Sequence, residues 1–164
     1  MRPGQILVAD HNGVYVIKMV GDVRLTLCMS FDQFIDNMFA DKAFCEVLFD
    51  LSEAEAIDST TLGLMAKISI LGEERVGARP LIFSPNESIN RILDTMGFAD
   101  IFIIVNELEK PIGVTQALAS AGEQAVDEAQ VKTKVIEAHK MLMCLNKDNE
   151  KIFTDLVNML EAEQ

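Results

Sequence analysis

The stretch "CEVLFDLSEAEAIDSTTLGL" (45–64) decides how this chain is read. Cys45 to Leu51 form a β-rich apolar run suited to a buried strand, and from Ser59 the apolar spacing changes to the three-and-four pattern of a helix. Asp58 and Ser59 stand at the change. Either is a good helix N-cap, because its side-chain oxygen accepts a hydrogen bond from the free amides of the first turn, worth about 1 kcal/mol. One cap does not account for three successive hydroxyls, Ser59, Thr60 and Thr61. A hydroxyl at a helix start also suits phosphorylation: a phosphate adds about −1.5 to −2 charges, which the helix N-terminus tolerates and a docked partner does not.

Upstream, "QILVAD" (5–10) and "VYVIKMV" (14–20) are strands joined by His11-Asn12-Gly13, and Asn-Gly is a strong hairpin signal. "VRLTLCM" (23–29) alternates and is expected to extend the pairing. Ser30 with Gln33 forms a capping box ahead of Phe34, Ile35, Met38 and Phe39, which predicts a first helix. Downstream, the second helix runs from about Ser59 to Arg75 and ends before Gly77. "PLIF" (80–83) is another strand, and Ser84-Pro85-Asn86-Glu87 combines a capping box with Pro at the first helical position. The third helix carries Ile89, Ile92, Leu93 and Met96 and stops at Gly97, and "IFIIV" (101–105) is the last strand. Strands alternating with helices imply crossovers and a largely parallel sheet, with the opening hairpin at one side. This is an α/β domain.

The character changes after Lys110-Pro111. "TQALASAG" (115–122) reads as one short helix on the sheet, and the tail beyond reads as helical. Val131, Val135, Ala138, Leu142 and Leu145 form one apolar stripe, and Ile152, Leu156 and Leu160 another. The intervening "LNKDNEK" favours a helical hairpin over a single rod. The expected organisation is an α/β domain over 1–121 and a helical extension over 122–164.

On an ideal spiral of about 100° per residue, Leu64, Met65, Ile68, Leu71 and Val76 face the core. Ser59, Gly63, Ala66 and Ile70 fall opposite, beside Lys67, Glu73 and Glu74. This second stripe reads either as an interaction surface or as small residues that merely face solvent.

The net charge is −12, divided as −8 up to residue 110 and −4 beyond it. That sign repels nucleic acid and anionic lipid and favours a basic protein partner. The opening apolar run is too short for a signal peptide or a membrane span, so a cytoplasmic protein with no membrane contact is expected. Cys28, Cys45 and Cys144 are odd in number and widely spaced, as for reduced core thiols. No phosphate-binding glycine loop and no metal-ligand spacing is present, so no cofactor or metal is expected. Ser59 lacks a G-x-S-x-G elbow, and the two histidines, His11 in a turn and His139 in the tail, offer no evident triad. His139 reads as a surface or packing residue, and the chain as noncatalytic.

"VLFDL" (47–51) leading into "DSTTLGL" (58–64), with the hairpin carrying "VGDV" (20–23), resembles the STAS domain of bacterial anti-sigma factor antagonists over roughly residues 5–121. The resemblance implies a STAS-like mixed sheet and a phosphorylation-dependent partner switch. The unphosphorylated form would bind an anti-sigma factor or switch-protein kinase, phosphorylation of Ser59 would release it, and a serine phosphatase would reset it. Asp58, Leu62 and Gly63 match the family's loop. In the docking face so implied, which includes Thr60, apolar contact would come from Gly63, Ala66 and Ile70, and Asp22 and Asn86 would lie at the rim. Two positions depart from the family pattern. Thr61 replaces a small residue, leaving Thr60 and Thr61 as secondary acceptors, and Arg24 replaces an acidic one. The tail resembles that of longer antagonists from motility and biofilm switches; dimerising, blocking the Ser59 face and binding another regulator all remain open to it. The alternative is a non-switching accessory subunit of a transporter or other assembly, in which Ser59 only caps a helix.

Overall fold

The computed structural model of the chain describes residues 2–108, 116–117 and 127–163. Its strands are β1 (Gln5–His11), β2 (Val14–Val23), β3 (Glu46–Ile57), β4 (Leu81–Phe83), β5 (Ile103–Val105) and β6 (Gln116–Ala117). Its helices are α1 (Cys28–Ala40), α2 (Ser59–Val76), α3 (Glu87–Thr95), α4 (Glu128–Met143) and α5 (Lys147–Ala162). The strands form one sheet in the order β5-β4-β3-β2-β1-β6. The β1–β2 pair is antiparallel, and β2 through β5 are parallel. The turn between β1 and β2 places Asn12 at φ 56° and Gly13 at φ 92°, the doubly left-handed turn that matches strand twist. Fully buried Phe31, Phe49, Phe98 and Phe102 anchor the core with Ile17, Met19, Leu51 and Leu64.

Several local expectations are corrected. "VRLTLCM" is no strand: β2 ends at Val23, a 3-10 turn covers Leu25–Leu27, and α1 begins at Cys28. The turn forms because Asp58 reaches across from β3 and accepts the Leu25 amide at 2.7 Å. Position Leu27 caps α1, so Ser30 and Gln33 lie inside that helix. Asn86, not Ser84, caps α3, accepting the Ser88 amide at 2.8 Å. Residues 116–117 of the expected helix are instead a two-residue strand on β1, and the rest of that segment and the 121/122 boundary lie outside the described residues. Leu64, Met65 and Ile68 are buried as the periodicity predicts, whereas Val76 at the helix end is exposed. Cys28 is a core thiol, pushed up to about 11 by burial and then by nearby Asp58 and Asp32. Cys45 and Cys144 are exposed, contrary to expectation, and all three cysteines are free. Among the described residues no helix is long and apolar enough to cross a membrane.

The tail is the expected hairpin, but α5 is turned differently. Asn149, Phe153 and Val157 are its buried positions, while Ile152 is 55% exposed and Leu156 and Leu160 are half-buried. Buried Asn149 fixes this rotation, its amide nitrogen donating at 2.9 Å to the carbonyls of both Met96 and Leu142. The hairpin is thereby tied to the end of α3. Asn149→Ala takes this donor from the buried Met96 carbonyl, while the Leu142 carbonyl keeps the Leu145 amide at 3.1 Å, and we expect a loss of about 1–2 kcal/mol in urea unfolding.

Candidate functional site

β3 runs past β4, pairs with β2 up to Val23↔Ile57, and leaves the sheet at Asp58. The Asp58 backbone is extended, and its carboxylate accepts the Thr61 amide at 2.9 Å and the Leu25 amide at 2.7 Å. Asp58 is therefore the cap, and Ser59 is the first residue of α2. Of the three hydroxyl residues, Thr60 and Thr61 are buried, at 3% and 2% exposure, and only Ser59 is partly open.

The Ser59 hydroxyl is engaged by the tail. Its Oγ lies 2.7 Å from Nε2 of His139 on α4, and Nδ1 of the same ring lies 2.6 Å from the Val135 carbonyl. A carbonyl only accepts, so Nδ1 carries a hydrogen, and in the tautomer protonated there alone Nε2 accepts the Ser59 O–H. The imidazole is 2% exposed, with Phe153 of α5 packed edge-on at 5.0 Å.

The small-residue stripe lies beneath α4. A Cβ at Gly63 would stand 2.2 Å from the Ala138 carbonyl oxygen, so the two backbones cross in direct contact. Ala66 is fully buried, Leu62 nearly so, and Ile70 is half-buried. The surface expected to face a partner is thus occupied by the same chain. A small residue on each helix permits so close a crossing.

Lys67, expected among solvent-facing charges, joins a four-charge cluster. Its Nζ lies 3.2 Å from Asp32 and 2.7 Å from Glu137, and Lys134 Nζ lies 2.7 Å from Asp32 and 3.2 Å from Glu137. Asp32 is 4% exposed. The Asp32 hydrogen bond leads in holding Lys134 above its ordinary value. Burial pulls Lys67 down, but hydrogen bonds to Glu137 and Asp32 outweigh it and raise it. Burial alone would raise Glu137, and the two lysines together hold it below the usual carboxylate range. The cluster pins α4 to both α1 and α2.

Asp22 pairs in register with Ala56, two residues before Asp58, and binds Arg24 at 2.7 Å. Arg24 and Leu25, at the same end, are exposed. Asn86 sits further back along the sheet, because β3 continues seven residues beyond its last pairing with β4, Asp50↔Phe83, before it ends at Ile57. The structure brings Asp22, Asp58 and Ser59 together and leaves Asn86 apart. His139, Ala138 and the Asp32, Lys134 and Glu137 cluster escape a local reading, since their partners are distant in sequence.

The STAS domain family model matches residues 5–111. A comparison with curated proteins returns no match.

Proposed function

Because this chain belongs to the STAS domain family, we propose that it is a noncatalytic regulator, an anti-sigma factor antagonist working by a phosphorylation-dependent partner switch. The carrying observation is that Ser59, alone of the three hydroxyl residues after Asp58, is partly exposed, at the first position of a capped helix beside exposed Leu25 and Arg24. The docking face in this reading is the start of α2 with the turn after β2, formed by Asp22, Leu25, Asp58 and Ser59. Gly63 and Ala66 lie under α4 and support the face from behind. An anti-sigma factor or switch kinase with a basic face suits the net charge of −12. A phosphate on Ser59 adds about −1.5 to −2 charges beside Asp22 and Asp58 and replaces the hydroxyl that meets His139. Binding then fails through repulsion, and a serine phosphatase restores it.

Capture from the native cell with bound proteins identified by mass spectrometry tests the switch. Ser59→Ala is expected to retain an anti-sigma factor or kinase, and Ser59→Glu to lose it by at least about tenfold, equivalent to 1.4 kcal/mol. Thermal melting of both variants checks the fold. Equal capture by the two rejects the switch and favours the accessory-subunit role.

A further inference from the structure

We propose that His139 is the proton acceptor when Ser59 is phosphorylated, so that the C-terminal hairpin builds part of the phosphoacceptor site. This rests on the reading of Ser59 as the modified residue and adds a role for the tail. A serine hydroxyl is a weak nucleophile until a base takes its proton, and the arrangement that achieves this is a nucleophile, a base in hydrogen-bond reach, and a group orienting the base. All three are present: Ser59 Oγ and His139 Nε2 at 2.7 Å, and the Val135 carbonyl at 2.6 Å from Nδ1. The carbonyl fixes the tautomer that leaves Nε2 free to accept. Being neutral, it stabilises an imidazolium less than a carboxylate does, so the activation is moderate.

The surroundings hold this geometry. The ring is clamped between α2 and the Phe153 ring, and Ala138, its chain neighbour, is wedged on Gly63. Base and nucleophile also differ in access, since His139 is 2% exposed and Ser59 is partly open. Phosphorus approaches from solvent while the proton leaves toward the interior. In the reaction, a lone pair of Ser59 Oγ attacks the terminal phosphorus of a nucleoside triphosphate held by the kinase. The Oγ–P bond forms as the bond from phosphorus to the nucleoside diphosphate oxygen breaks, and the hydroxyl proton passes to Nε2. The imidazolium faces the new phosphate until it returns its proton to water.

Full-length protein treated with diisopropyl fluorophosphate tests the pair without a kinase, because fluoride then leaves and the same proton transfer operates. Ser59 is expected to acquire the adduct at least tenfold faster than in His139→Gln, a floor set below the roughly 10²–10⁴ that general bases contribute because a neutral carbonyl orients this base. Ser59→Ala acquires none at this position. Amide exchange at Gly63 and Ala66 in His139→Gln shows whether the hairpin stays docked. Exposed Ser88 is an internal control: wild-type Ser59 labelled no faster than Ser88 overturns the proposal whatever the variant does. Phosphate occupancy of residues 56–64 in the native cell separates the two readings. Equal phosphorylation rates in wild type and His139→Gln overturn the role of His139 alone, whereas an unmodified wild-type Ser59 overturns the partner switch.

Discussion

Gly63→Ala is expected to push the C-terminal hairpin away from α2 and to lower stability by about 3 kcal/mol, the upper end for an overpacked site. The added Cβ would meet the oxygen, carbonyl carbon and Cα of Ala138 at 2.2, 2.5 and 2.7 Å. All three are backbone atoms, which cannot rotate aside as a side chain does, so α4 must move by more than about 1 Å to reach ordinary contact near 3.5–4.0 Å. The Ser59–His139 bond and the contacts of Lys134 and Glu137 lie on the same helix and go with it. The sign is diagnostic. In a helix without α4 against it, alanine would exceed glycine by about 1 kcal/mol of intrinsic propensity. Urea unfolding measures the sum, and amide exchange over residues 128–143 locates the loss; a variant as stable as the parent contradicts the close crossing.

Asp32→Ala is expected to cost about 3 kcal/mol, the lower end for removing one partner of a buried ion cluster. The substitution leaves Lys67 and Lys134 facing each other with Glu137 as their one remaining counter-charge among those described. The lower end applies because the lysine side chains retain 16% and 23% exposure and draw some relief from water. For a chain of this size the midpoint of thermal unfolding should fall by roughly 10 °C. Added salt should change the difference little, since the Asp32 carboxylate is screened from solvent by α1, α2 and α4.

What was legible in the sequence was what short-range chemistry decides. Asn12-Gly13 announces the hairpin because few residues accept two successive left-handed conformations. The order of strands and helices from Cys45 to Val105 follows from period and punctuation. Boundaries shifted where a distant group intervened: Asp58 bends residues 25–27 out of a strand by accepting the Leu25 amide. On α5, Ile152-Leu156-Leu160 and Phe153-Val157 are both apolar rows at fourfold spacing, and the buried amide of Asn149 selects the second. At the site, Asp58 and Ser59 were readable from their place at a helix start. His139 was not, because its partner lies 80 residues away and nothing nearby marks the pair. The small stripe on α2 could be read either as a contact surface or as solvent-facing, and its occupant is the chain itself.

That separation of 80 residues also sets an order of events during synthesis. Ribosomes add roughly 5–20 residues per second, so between about 4 and 16 s pass after Ser59 is made before His139 exists. Throughout that interval the face of α2 that Ala138 covers in the finished chain has no α4 to cover it. A ligand that recognises this face meets it co-translationally without opening anything, whereas a mature copy must first give up its own tail.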